Sequence, residues 1–198
     1  MSGEFPPGLK IGLLGGSFNP AHAGHRAISL VALRALGLDH VVWLVSPQNP
    51  LKGAADMADY AARLEAARQA ADHPRIVVSD FEARLARPYT IDTITALKAR
   101  HRAVHLVLLI GADNLVQLPR WRNWTGLFAA VPIAVFARPG SEFAALASKA
   151  AQRYRAFRLP LEGARLLPSR PPPSWVYIPY THRAESASAI RARGEWPP

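Results

Sequence analysis

Two histidines three residues apart, His22 and His25, stand just beyond the glycine pair Gly15-Gly16, an arrangement suited to holding phosphate. The apolar stretch Ile11-Gly12-Leu13-Leu14 runs into those glycines. The turn Ser17-Phe18-Asn19-Pro20 follows, and His22-Ala23-Gly24-His25 opens a helical pattern. A strand, a glycine turn and a helix N-terminus bring backbone N–H groups to one point, where the helix dipole favours negative charge. Glycines let a ligand approach the backbone without a side-chain clash. The spacing Gly12-x-x-Gly15-Gly16 is not the Gly-x-Gly-x-x-Gly dinucleotide fingerprint, and no Gly-Lys-Ser/Thr follows to make a P-loop. With no Glu or third His beside the pair, a metal site is not expected there. The expected role of both imidazoles is to donate hydrogen bonds to phosphate oxygens.

The elements that must position this pair alternate between strand and helix. Strands are expected over 10–14, 40–45, 75–79, 104–110, 132–137 and 175–178, and helices over 25–36, 59–72, 90–101, 142–157 and 186–193. The helix face Ile28, Val31, Ala32, Ala35 has the right spacing, and Gly37 stops that helix. His40–Val45, read HVVWLV, is a near-continuous apolar run, as in a strand covered on both faces. Thr90 is a candidate cap of its helix. Such alternation implies an α/β, Rossmann-like, doubly wound and mainly parallel sheet with helices on both faces. Ligands of such sheets bind beyond the carboxyl ends of the strands, where Gly15–His25, Ser46–Lys52 and Gly111–Asp113 all fall. A single domain over 1–198 is expected, with 1–9 a flexible tail and the proline cluster 168–173 a loop crossing.

Composition narrows the class. The 198 residues suit one well-buried domain. The chain is 49% hydrophobic, and its longest apolar runs fall well short of the roughly 18 residues a membrane span requires. Residues 1–10 lack the basic and apolar stretches of a signal peptide. The absence of cysteine removes disulfides, thiolate nucleophiles and cysteine-based zinc sites. A cytoplasmic location is expected, without a membrane partner. The net charge of +10 comes mostly from arginine, since only Lys10, Lys52, Lys98 and Lys149 are lysines. The arginines are scattered, with no basic tail or aromatic-interleaved stripe. An attraction for anionic nucleotides is therefore expected more than a dedicated nucleic-acid surface.

The string 15–25, GGSFNPAHAGH, resembles the HxGH signature of the nucleotidylyltransferase superfamily. Further motifs, spread over nearly the whole chain, are similar to one branch, the bacterial nicotinate-nucleotide adenylyltransferases. They are Ser46-Pro-Gln-Asn-Pro-Leu-Lys52, Tyr89-Thr90-Ile-Asp-Thr93, Gly111-Ala-Asp113, Trp121-x-x-Trp124, Arg138-Pro139 and Ser186-Ala-Ser188-Ala-Ile190-Arg191. The chain departs from the family where Ser17 and Asn19 replace the commoner Thr and Asp, Leu51 a His, and Glu185, Ala187 and Ser188 an Ile, a Ser and a Thr.

The resemblance implies adenylyl transfer from ATP to nicotinate mononucleotide. His22, His25, Lys52 and Arg191 would serve the reacting phosphates. Gly15, Gly16, Ser17, Phe18, Gly111, Asp113, Arg138, Ser186, Ser188 and Ile190 would bind ATP. Asn19, Tyr89, Thr90 and Trp121 would bind the pyridine nucleotide, with Trp121 stacked on its ring. Mg²⁺ would be carried with ATP, since it rarely takes an all-protein cage. By residue type alone each of these has a plainer alternative. Lys52 reads equally as a solvated loop lysine, Asp113 as a helix cap, Trp121 and above all Trp124 as core aromatics, and Arg191 as a surface arginine. His40, His73, His101, His105 and His182 have no partner pattern and read as structural or surface residues. Another acceptor (nicotinamide mononucleotide or phosphopantetheine) and a non-catalytic nucleotide or RNA binder remain open at this point, as does the oligomeric state.

Overall fold

The apolar runs become seven strands of one sheet. The computed structural model describes residues 5–47, 57–85, 89–137, 142–179, 187–194 and 196, apart from the side chains of Glu142, Ser188 and Ala189. The strands are β1 (Lys10–Gly16), β2 (His40–Val45), β3 (Ile76–Ser79), β4 (His105–Gly111), β5 (Ile133–Phe136), β6 (Arg158–Leu159) and β7 (Trp175–Ile178). Their order is β3-β2-β1-β4-β5-β7-β6, with every pairing parallel. The order reverses between β1 and β4, the place where sheets of this kind open a crevice at their carboxyl edge.

Alternate residues of the central strands feed two separate cores. Leu13, Val42, Leu108 and Ile133 face one, and Leu14, Trp43, Leu109 and Ala134 face the other. This explains why HVVWLV is apolar throughout: only its first residue escapes burial. Helices α1 (Ala23–Ala35) and α2 (Tyr60–Ala71) cover the second core. The first is covered by α3 (Thr90–Arg100), α4 (Ala112–Gln117), α5 (Trp124–Ala130), α6 (Glu142–Leu146) and α7 (Lys149–Arg153). The last helix, α8 (Ala187–Ala192), returns to the turn after β1. Among the described residues no helix is long and apolar enough to cross a membrane.

The doubly wound fold is as expected, with local differences. β1 runs two residues beyond the expected strand, through both glycines. Gly37 does end α1, in the left-handed region at φ 61° that glycine enters readily. The single helix expected over 142–157 is broken: Ser148 caps a new helix, its hydroxyl accepting from Ala151 N at 3.3 Å, and Arg155–Phe157 is a 3-10 turn. A 3-10 segment, Leu161–Ser169, takes up part of the expected proline loop. The short elements α4, α5 and β6 carry too few periods to be legible beforehand. Within 1–9, residues 5–9 lie on the body of the protein. Phe5 packs 5.2 Å from the His101 ring, and Gly8 N donates to Ala103 O.

Candidate active site

The turn that leaves β1 is built on an aromatic floor. Phe18 adopts φ 47°, a left-handed conformation unusual for a bulky residue. Its ring is 1% exposed and stacks on Trp43 at 5.1 Å, which holds the turn in that conformation. The His25 ring leans on Phe18 at 4.7 Å. Trp43 Nε1 donates to Ser29 Oγ at 2.8 Å, and that hydroxyl donates to the His25 carbonyl at 2.8 Å. The start of α1 is thus tied to β2 from beneath.

On this floor the two histidines cap their own helix. His22 is the N-cap: its Nδ1 accepts from Gly24 N at 3.1 Å, while His25 Nδ1 accepts from His22 N at 3.2 Å. The rings lie 4.0 Å apart. A ring nitrogen that accepts a backbone N–H carries no proton, so in each neutral imidazole the proton sits on Nε2. Both histidines are thereby set as Nε2–H donors at a helix N-terminus. No acidic residue stands in the first turn of α1 to offset its dipole.

The glycines before the turn divide by role. A Cβ on Gly12 would lie 2.8 Å from both Leu109 Cδ1 and Leu38 Cδ1, so any larger residue there would force these two buried leucines to shift. A Cβ on Gly15 would meet no atom within 4 Å, and on Gly16 only the Phe18 ring, from 3.5 Å outward. Packing therefore makes no demand for glycine at 15, where the chain faces open space at the crevice.

Around this turn the structure gathers part of the expected set. Arg191 of α8 donates from Nη1 to the Asn19 carbonyl, which brings the C-terminal motif onto the His turn. Asn19 is 5% exposed, and its Oδ1 accepts from Ala58 N at 3.2 Å and Trp196 Nε1 at 2.8 Å. Ser17 is buried, and Ile190 is 9% exposed. Because the Phe18 ring is enclosed, only its backbone is placed to meet a ligand. Asp113 follows β4 across the switch point from β1; it lies inside the first turn of α4, whose N-cap is Gly111, so it is not the cap. Tyr89 and Thr90 begin α3, but Thr90 does not cap it: Tyr89 holds the N-cap position with no side-chain bond. The Arg122 guanidinium lies 4.8 Å over the Tyr89 ring, so the Trp121 segment meets the start of α3. Trp121 and Trp124 are both half-buried against the first core, and Trp124 also packs edge-on against Phe128 and Tyr154 at 6.5 and 6.0 Å. Lys52, Arg138 and Ser186 lie outside the described residues, as does the side chain of Ser188.

Two further buried residues border the site that residue types and spacing did not single out, Arg63 and Glu82. Burial pulls the Arg63 pKa down, against the upward pull of Tyr60 and Asp59. Burial also pushes the Glu82 carboxyl up to about 7, against hydrogen bonds from Thr93 and Ser46. Arg63 carried a signal: it shares a helix face with the buried Ala67 and Ala71 of α2. Glu82, in a short 3-10 turn, carried none.

The cytidylyltransferase-like family matches residues 13–194. A probable nicotinate-nucleotide adenylyltransferase of Parvibaculum lavamentivorans is 51% identical over 96% of this chain and 94% of its own. The chain belongs to the nicotinate-nucleotide adenylyltransferase family. A second probable member, from Cereibacter sphaeroides, is 48% identical over 95% of this chain and 100% of its own. The fold is shared with a Plasmodium falciparum nicotinic acid mononucleotide adenylyltransferase solved with NaAD. That structure superposes with a TM-score of 0.64 at 13% identity, covering 92% of this chain and 82% of its own. Membership makes this adenylyltransferase a nucleotidyltransferase.

Proposed function

We propose that this adenylyltransferase joins ATP and nicotinate mononucleotide, giving deamido-NAD and pyrophosphate, as a step of NAD synthesis. The observation that carries the reading is the pair of imidazoles whose Nδ1 atoms are both occupied by backbone donors. Each ring then presents Nε2–H at the N-terminus of α1, at the switch point of the sheet. In the reaction an oxygen of the mononucleotide's 5′-phosphate attacks the α-phosphorus of ATP. The bond from that phosphorus to the bridging oxygen breaks, and pyrophosphate leaves. The attacking phosphate is already an anion at neutral pH, so the step needs neither a strong general base nor an enzyme nucleophile.

The chain's contribution is positioning and charge stabilisation. His22 and His25 donate to oxygens of the ATP phosphates, where negative charge builds. Gly15 leaves the backbone open to the phosphates, and Arg191, already against the Asn19 carbonyl, adds positive charge at the same turn. Lys52, Arg138, Ser186 and Ser188 extend this phosphate contact. Asp113 accepts from the ribose of ATP, and Trp121, Tyr89 and Thr90 receive the pyridine nucleotide. Mg²⁺, carried on the ATP phosphates and water, supplies further charge neutralisation.

The test is pyrophosphate release from Mg-ATP with nicotinate mononucleotide, nicotinamide mononucleotide, phosphopantetheine or no acceptor. Strong preference for nicotinate mononucleotide is the expected result. Preference for another acceptor would refute the roles given to Trp121 and Thr90, and folded protein that binds ATP without turnover would refute the reaction.

A further inference from the structure

Arg63 and Glu82 are buried ionisable residues that the phosphate chemistry does not use. Arg63 is 1% exposed, and its guanidinium meets backbone carbonyls from three segments. Nη1 donates to Ser17 O at 2.6 Å and Ser46 O at 2.8 Å, Nη2 to Pro47 O at 2.9 Å, and Nε to Ala58 O at 3.0 Å. Ser17 belongs to the turn before His22. Ser46 and Pro47 start the segment that leaves β2 towards Lys52. Glu82, 6% exposed, receives hydrogen bonds from the Ser46 side chain and from Thr93 Oγ1, the latter at 3.2 Å. Thr93 Oγ1 also lies 3.3 Å from the Tyr89 carbonyl, an alternative acceptor at the start of α3.

These contacts form one buried chain from Ser17 through Arg63, Ser46 and Glu82 to Thr93. Taking a guanidinium out of water is costly, and an apolar side chain of similar size often serves stability as well. What an apolar side chain cannot do is satisfy carbonyls of irregular backbone from several directions at once. The fork of Arg63 does that where the β1–β2 ladder ends, at Ser46 N to Gly16 O, and so fixes the two strand ends and the Ala58 segment relative to one another.

We propose that Arg63 is a positioning residue, which together with Glu82 holds the His22–His25 turn at a set distance from the start of α3. The inference rests on the adenylyl-transfer reading, in which ATP lies on the turn and the pyridine nucleotide at Tyr89–Thr90. Attack requires the two phosphates in near-attack contact, and a small misplacement is costly in rate.

The test compares Arg63→Lys, Glu82→Ala, the double variant and the control Ala67→Gly, which loosens the same helix without touching the chain of contacts. Kinetics are measured where circular dichroism shows every variant fully folded, with hydrogen exchange of the backbone alongside. Arg63→Lys keeps the cation and loses the fork, so kcat is expected to fall by roughly tenfold to a hundredfold, with a smaller change in KM for ATP. Exchange is expected to quicken both at Ser17–Phe18 and at the start of α3. The double variant is expected to lose no more than its worse single, as for residues acting through one structure. Ala67→Gly is expected to lower Tm and keep kcat. Wild-type kinetics in folded Arg63→Lys, equal kcat loss in the control, or multiplying losses in the double variant would each overturn the proposal. If Arg63→Lys does not fold, Glu82→Ala, which removes both acceptors, decides: a lower kcat supports the proposal, and a wild-type kcat overturns it. A wild-type protein without turnover would refute the adenylyl-transfer reading instead. The exchange pattern would then decide the coupling: quickening at both segments supports it, and quickening at one alone overturns it.

Discussion

Replacing Glu82 with Gln should change how stability depends on pH. The buried carboxyl is pushed from 4.5 up to about 7 in the folded protein. Between those values an unfolded chain has already ionised Glu82 while the folded protein still holds the proton. The folded state binds more protons there, so stability falls as pH rises through the window. The displacement from 4.5 to about 7 corresponds to about 3 kcal/mol in all, of which about 2.5 kcal/mol falls between pH 5 and pH 8. Gln is neutral at every pH and retains a carbonyl that can accept from Thr93 and Ser46. Relative to wild type, Glu82→Gln should therefore gain about 2.5 kcal/mol of stability on going from pH 5 to pH 8. Urea unfolding at both pH values, at equal slope m, measures the difference, and the other titrating groups cancel between the two proteins. Parallel stability curves would show that the Glu82 carboxyl is not held protonated by burial, and would refute the reasoning. Combined with the loss of kcat expected of Glu82→Ala, the result would make Glu82 a residue kept for geometry at a cost in stability.

Four further outcomes follow from the structure. His22→Ala and His25→Ala should each lower kcat by about 10²-fold or more, the loss expected on removing one preorganised donor, with a folded protein by circular dichroism; near-wild-type turnover in either would refute the phosphate contact. Gly15→Ala should leave stability within about 0.5 kcal/mol, because its Cβ meets nothing within 4 Å, yet raise KM for ATP or lower kcat. Gly12→Ala, whose Cβ would lie 2.8 Å from two leucine methyls, should instead cost about 1–3 kcal/mol of stability, read by thermal unfolding. Trp121→Ala should raise KM for the pyridine nucleotide by about tenfold, as for a lost aromatic stack, and leave KM for ATP unchanged; equal losses for both substrates would refute the stacking.

The sheet was legible because its strands are buried on both faces and their apolar runs stand clear of the helical periods. His40–Val45 and Trp175–Ile178 match their expected bounds, and the helix expected over 59–72 runs from Tyr60 to Ala71, with Asp59 as its cap. The run 142–157 misleads because its composition is helical throughout, while the break is made locally by the Ser148 hydroxyl. Thr90 is a good cap by residue type, yet the chain enters α3 one residue earlier, at Tyr89. The His pair was visible as a motif, but not the use each imidazole makes of Nδ1, which depends on the turn closing on itself. Arg63 escaped notice because an isolated charge on an amphipathic helix is usually solvated, and Glu82 because its short 3-10 turn has no period to read. Only the tertiary structure shows the carbonyls and hydroxyls that enclose them.

The central claim is direct transfer of the adenylyl group between two nucleotides held by donors of the chain. The measurement that tests it most directly follows ATP radiolabelled at its α-phosphate, with Mg²⁺ and nicotinate mononucleotide, in a single turnover. The label should move into a dinucleotide with the mass of deamido-NAD, in step with pyrophosphate release, with none on the protein. Label found covalently on the protein, or released as free AMP with no dinucleotide, would contradict the account.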